Sequence, residues 1–270
     1  MSLRYRESIA DARRLVVKIG SRVLVQKTGR PDRRRIRALI GELARLHKAG
    51  REVVTVTSGA IGAGMEALGM KERPSALPDL QMAAAVGQSR LMARYDELFS
   101  RAGCRAGQVL LTHADFHRKI RLNNARRTIE NMIRNRVIPV INENDVVADE
   151  EIRADLALGD NDLLAALVVK MVRADLLIML TTVDGLREPG RNGRTRRIRY
   201  LESVTRRSFS MVSEAGPSIS RGGMVSKLKA AQTAAKAGCS AVIANGRQPA
   251  VLGRIMRGED VGTIILASAL

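Results

Sequence analysis

Between residues 15 and 266, short apolar runs alternate with longer amphipathic ones, and this alternation restricts the fold more than any other feature. The runs at 15–19, 53–56, 108–111, 137–141, 176–180, 241–244 and 263–266 have the length and β-branched content of strands. In the stretch 31–49, Ile36, Leu39, Ile40, Leu43 and Leu46 recur at helical spacing, with Pro31 suited to a first turn and Gly50 to a stop. Helices are likewise expected over 61–68, 81–102, 123–135, 163–172, 225–237 and 249–256, with a polar loop at 112–121. Near-continuous apolar strands separated by helices imply right-handed βαβ crossovers and a sheet covered on both faces. The expected fold class is α/β: a three-layer αβα sandwich with a mostly parallel central sheet. No repeat or low-complexity tract divides the chain, so 1–270 reads as a single domain with a polar N-terminal extension at 1–13.

Polar residues crowd the places where such a sheet holds ligands, beyond the carboxyl ends of its strands. Asn142-Glu143-Asn144-Asp145 follows one buried run, and Gly159-Asp160-Asn161-Asp162 precedes the helix at 163–172. Turn and capping needs explain one or two of these positions, not the density of acid and amide. A hairpin or flap is expected at 146–158, and Asn192-Gly193 carries a hairpin signal. Small residues mark expected strand-to-helix junctions at Gly20-Ser21, Ser58-Gly59-Ala60 and Gly222-Gly223, where free backbone N–H groups can approach an anion. Neither a GxxxxGK[ST] loop nor a GxGxxG fingerprint is present, which argues against P-loop and dinucleotide folds.

Lys18 is the one charge in its apolar strand, and Lys227 lies four residues after Gly223 at the start of a helix. Taken alone, each has an ordinary reading, a snorkelling strand residue and a solvated helix residue. Together with Asp160 and Asp162 they compose a phosphoryl-transfer site, where cations meet the migrating group and Mg²⁺ accompanies the nucleotide.

Charge raises the alternatives. The chain has 46 Lys plus Arg against 27 Asp plus Glu, a formal +19, which favours anionic partners or a solvated basic surface. Aromatics make up only 2% with no Trp, which argues against a base-stacking platform, so nucleic acid is not the expected partner. No apolar run reaches the length of a membrane span, and the N-terminus lacks the apolar segment of a secretory signal. Cys104 and Cys239 fit no ligand pattern and read as buried thiols of a cytoplasmic protein.

The segments Lys18-Ile-Gly-Ser, Val56-Thr-Ser-Gly-Ala-Ile, Ala85-Val-Gly-Gln, NEND, GDND and Gly222-Gly-Met-x-x-Lys227 occur in the order found in the glutamate 5-kinase family. That family is a branch of the amino acid kinase superfamily, and the likeness runs over about 14–266. The resemblance implies that ATP phosphorylates the γ-carboxylate of L-glutamate to L-glutamyl 5-phosphate, the first step of proline biosynthesis. It implies Lys18 and Lys227 on the transferring phosphoryl, with Asp162 orienting both, and backbone N–H groups from Gly20 and Gly59. Ser58, Gly59, Ala60, Asn142, Asp145 and Asn161 would form the glutamate site, with Asp145 suited to the α-ammonium. Gly20, Thr181, Thr182, Arg221, Gly222, Gly223 and Met224 would border ATP and its Mg²⁺, with no metal held by the protein directly. It also implies a homo-oligomer, dimer or tetramer, and proline as feedback inhibitor near 112–124.

Several positions depart from the family pattern. Thr182 replaces a customary aspartate, Ser218-Ile219-Ser220-Arg221 replaces a glycine-richer loop, and extra residues stand between Ile152 and Gly159. No C-terminal PUA domain is expected within 1–270. The competing readings are the same fold acting on another small carboxylate or phosphate acceptor, or a weakened kinase serving as a basic binding protein.

Overall fold

The computed structural model describes residues 5–6, 9–26, 31–147, 161–190, 194–214 and 221–268. Its central sheet has eight strands in the order β3-β4-β2-β1-β5-β9-β10-β8. These are β1 (Arg14–Ile19), β2 (Glu52–Val56), β3 (Arg105–Leu111), β4 (Val137–Glu143), β5 (Leu176–Thr181), β8 (Tyr200–Leu201), β9 (Ser240–Asn245) and β10 (Thr263–Ile265). Every pairing is parallel except β9 with β10. The two short strands β6 (Arg187–Pro189) and β7 (Thr195–Arg197) form a separate antiparallel ladder. The Asn192-Gly193 turn expected to join them lies outside the described residues.

Strand alternation sorts the interior into two cores. Leu15, Val17, Ile19, Val53, Ile138, Val140, Ile178 and Leu180 face one side, against α2 (Arg33–Lys48), α4 (Leu77–Arg101) and α10 (Val251–Met256). Val16, Val54, Val56, Ile141, Leu177 and Met179 face the other, against α6 (Lys119–Arg134), α7 (Asp162–Val172), α8 (Arg206–Glu214) and α9 (Arg221–Lys236). The three-layer αβα arrangement with a mostly parallel sheet is thus as expected. Helix α2 starts where Asp32 accepts a hydrogen bond from the Arg35 N–H at 2.9 Å, and it buries Ile36, Leu39, Ile40 and Leu43.

The short helix α3 (Ala60–Ala67) lies almost backbone to backbone on α4. A Cβ at Gly64 would stand 1.7 Å from the Ala83 carbonyl oxygen, and one at Gly87 1.8 Å from that of Ala60. Only glycine permits this approach, and it holds α4 against the end of β2.

Several local expectations are corrected. The stretch read as a polar loop at 112–121 contains α5 (His113–His117), opened by a Thr112/Asp115 capping box, and the start of α6. Helix α4 begins at Leu77 rather than 81, with a proline in its first turn. Helix α8 covers a stretch for which no helix was expected. Gly222 and Gly223 do not join a strand to a helix: they are already in the first turn of α9, which α8 precedes. Asn144 to Val147 form a turn, while the rest of the expected flap, 148–158, lies outside the described residues.

Candidate active site

The parallel order brings the ends of β1, β2, β4 and β5 together, and with them the polar residues that follow. Lys18 shares a face with Val16, and its neighbours across the sheet are Val56 on β2 and Met179 on β5. A charged residue in that position needs a partner, and α7 supplies it: Lys18 Nζ lies 2.7 Å from Asp162 Oδ1. The other oxygen, Oδ2, accepts a hydrogen bond from Lys227 Nζ at 2.8 Å. Lys227 reaches in from the second turn of α9 and also donates to the Gly223 carbonyl at 3.1 Å. The relative exposures are 1% for Lys18, 0% for Asp162 and 6% for Lys227. One buried carboxylate therefore holds two buried ammonium groups, one on each oxygen, at the carboxyl edge of the sheet.

Next to this triad is a run of buried amides. Asn161, at the N-cap of α7, donates from Nδ2 to the Thr57 carbonyl and to Asn142 Oδ1, the latter at 2.7 Å. Asn142, on β4, in turn donates from Nδ2 to Gln88 Oε1 on α4 at 2.7 Å. Thr57 is anchored by its N–H to the Ile141 carbonyl at 2.9 Å and by its hydroxyl to Tyr95 at 2.8 Å. Burial pushes the Tyr95 hydroxyl up to about 12 despite that hydrogen bond, so it stays neutral. Ser58 donates to the Ile19 carbonyl at 2.9 Å, tying the end of β2 to that of β1. Gly59 then turns with φ 103°, a left-handed conformation suited to glycine, before α3 begins.

Beside the amides opens a cavity of about 320 Å³ whose wall includes Ala60, Gln88, Gln108, Glu143, Asn144 and Asp145. Of the residues the resemblance assigned to glutamate, Ala60 and Asp145 are in this wall. Asn142 and Asn161 are 2% and 5% exposed and sit in the hydrogen-bonded chain that ends at Gln88. Gln88, Gln108, Glu143 and Asn144 were given no role from sequence. The available signals were Gln88 closing the Ala85-Val-Gly-Gln segment, Glu143 and Asn144 within the Asn142–Asp145 run, and Gln108 as the polar residue of a strand run.

The residues assigned to the nucleotide gather around the same edge. Gly20 caps the four-residue helix α1 (Ser21–Leu24), and its N–H donates to the Leu180 carbonyl at 3.0 Å. Thr181 ends β5 and accepts from the Gly246 N–H at 2.8 Å, with Thr182 next in the chain; both are half-buried. Arg221, Gly222, Gly223 and Met224 form the first turn of α9. Asp160 and Ser218 to Ser220 lie outside the described residues.

The fold and the edge site define a class. Residues 13–245 match the amino acid kinase family, and the chain belongs to it. Similar proteins include the glutamate 5-kinase of Clostridium tetani, 40% identical over 265 residues, which are 97% of this chain and 98% of that protein. The glutamate 5-kinase of Moorella thermoacetica is 43% identical over 263 residues, 97% of this chain and 68% of that one. Among solved structures, a carbamate kinase from Giardia lamblia bound to AMP-PNP aligns with a TM-score of 0.66 at 16% identity, covering 96% of this chain and 100% of that one. A UMP kinase from Bacillus anthracis aligns with a TM-score of 0.58 at 18% identity, covering 96% and 97%. At such identities these structures bear on the fold alone.

Proposed function

We propose that this protein is a glutamate 5-kinase, transferring the γ-phosphoryl group of ATP to the γ-carboxylate of L-glutamate to give L-glutamyl 5-phosphate and ADP. The observation that carries the reading is the Lys18–Asp162–Lys227 triad, 2.7 and 2.8 Å across its two contacts and buried at the strand ends. Phosphoryl transfer asks a protein for positioning and charge stabilisation rather than covalent chemistry. A carboxylate oxygen of the acceptor forms the new O–P bond while the β–γ bridging oxygen departs with its electron pair, and no proton has to move. Lys18 and Lys227 meet the charge on the migrating group. Asp162 holds both in place, and because each of its oxygens is engaged, neither lysine can drift without losing its partner.

The acceptor side fits an amino acid. Asp145 in the cavity wall suits an α-ammonium, and Ser58, Gly59, Asn142 and Asn161 shape the adjoining end of β2 and the amide chain. Gly20, Thr181, Thr182 and residues 221–224 border the ATP side. Among the described residues no cluster of three acids, histidines or cysteines stands together to hold a metal. Mg²⁺ would accompany the ATP phosphates, where it would supply charge neutralisation. The same reading carries cytoplasmic proline biosynthesis, a homo-oligomer, and inhibition by proline near 112–124. No helix among the described residues is long and apolar enough to cross a membrane.

The test is ADP release from Mg·ATP with L-glutamate, beside D-glutamate, aspartate and acetylglutamate, with hydroxylamine present to trap an acyl phosphate. Hydroxamate from L-glutamate alone is the expected result. Folded protein that turns over none of the four acceptors overturns the assignment.

A further inference from the structure

The buried amides beside the triad form a chain with a direction. The Thr57 carbonyl is a backbone group and can only accept, so Asn161 must turn its Nδ2 toward it. That same Nδ2 meets Asn142, which must then present Oδ1 and is left with Nδ2 on its other side. Asn142 Nδ2 can only donate, so Gln88 must offer Oε1 to it. One fixed carbonyl at the end of β2 thereby sets the orientation of three side-chain amides. The last of them, half-buried in the cavity wall, has its two Nε2 hydrogens left for whatever occupies the cavity. Among the described residues, Nε2 makes no hydrogen bond within the protein.

We infer that Gln88 is a specificity-determining residue whose Nε2 donates to the α-carboxylate of the acceptor amino acid. This inference rests on the proposed glutamate 5-kinase activity. The cavity wall also holds Asp145, whose carboxylate suits the α-ammonium, so the donor and the acid together read the amino-acid end of the substrate. The γ-carboxylate is left for the Lys18 and Lys227 end. The close α3–α4 contact at Gly87 places the neighbouring Gln88, and buried Asn142 and Asn161 prevent its amide from turning over, since a flip would set two donors against each other.

The test compares L-glutamate with 4-aminobutyrate, which keeps the amine and the carboxylate to be phosphorylated but lacks the α-carboxylate. Wild type, Gln88→Leu and Gln88→Glu are assayed by hydroxamate formation, with L-glutamate binding measured by calorimetry and folding by thermal melting. A hydrogen bond to a charged group corresponds to about ten- to a hundredfold in affinity, so Gln88→Leu should lose that factor in kcat/KM for L-glutamate, mostly through KM. Its KM for ATP should stay unchanged, and its preference for L-glutamate over 4-aminobutyrate should shrink by the same factor. Gln88→Glu still accepts from Asn142 but replaces the donor with negative charge. It should lose at least as much as Gln88→Leu, whereas a residue that merely braces Asn142 would leave it near wild type.

An unchanged preference in a folded Gln88→Leu, or a near-wild-type Gln88→Glu, overturns the inference while the kinase assignment stands. If Gln88→Leu does not fold, Gln88→Glu alone decides. Wild-type protein that neither binds nor turns over L-glutamate overturns both.

Discussion

Two carboxylates in this molecule each gather several cations, and they do so in opposite surroundings. Asp162 is fully buried between Lys18 and Lys227. Asp260, between α10 and β10, has a side chain 40% exposed and meets Arg6 at 2.7 Å, Arg197 at 2.9 Å and Arg199 at 3.1 Å. Counting partners would rank Asp260 as the stronger site. Burial reverses the ranking, because removing charges from water is expensive and a fold that needed only a crosslink could make it at the surface. The Asp260 cluster ties the N-terminal segment to the strand β7 and the residues after it. The Asp162 cluster sits where strands end and helices begin, which is where a parallel sheet binds ligands.

The sharpest way to break this contrast is Lys18→Met, which keeps the length and apolar stem but removes the ammonium. Removing one preorganised charge-stabilising group costs on the order of a hundred- to a thousandfold in kcat, so Lys18→Met should lose at least that in the hydroxamate assay. Asp162 keeps Lys227, so the protein should still fold. Retained turnover in Lys18→Met would remove the triad from the chemistry.

Asp162→Ala probes the same cluster through stability. It strands two buried lysines, and breaking a buried pair from one side costs about 3–5 kcal/mol. A denaturant titration should show that loss, together with loss of activity. If the midpoint barely moves, water or another group reaches the lysines and the cluster is less dry than its exposure implies.

How far this contrast was legible in the sequence depended on how local its signals were. Lys18 stood out because a strand of Leu15, Val16, Val17 and Ile19 had no other charge. Asp162 was visible as an acid beginning an apolar helix. The amide chain was not, since Gln88 and Asn142 are 54 residues apart and meet only when α4 packs beside β4. Gly222 and Gly223 read as a strand-to-helix junction because glycine weakens helices; tertiary packing of α9 against α7 and β9 overrides that weakness. Helix α5 was missed because its polar residues have no apolar period, although Thr112-x-x-Asp115 is a capping signal. Asp260 went unnoticed because its partners come from two distant segments, at Arg6 and at Arg197 with Arg199.

Gly87→Ala tests the scaffold common to the triad and the amide chain. Its methyl group would meet the Ala60 carbonyl at 1.8 Å, so α3 and α4 must separate. Overpacking of this kind costs about 1–3 kcal/mol, and because Gln88 and Ala60 both move, KM for L-glutamate should rise as well. A variant as stable and active as wild type would mean that the helix contact yields without disturbing the cavity.

The smallest effect belongs to Asp260→Asn. Partial burial pushes the Asp260 carboxyl up, but the hydrogen bond and charge of Arg197, with the charges of Arg6 and Arg199, outweigh it and hold the group below the usual carboxylate range. A carboxylate with a depressed value stabilises the folded state above its unfolded value, near 3.8, and loses that contribution as pH falls through the folded value. Screening at a site this exposed keeps the contribution below about 1 kcal/mol. Asp260→Asn should therefore melt slightly below wild type at neutral pH, converge with it in acid, and leave kcat and KM unchanged. A change in turnover from this substitution would mean that the surface cluster is coupled to the strand-end site, and the division drawn between the two carboxylates would fall.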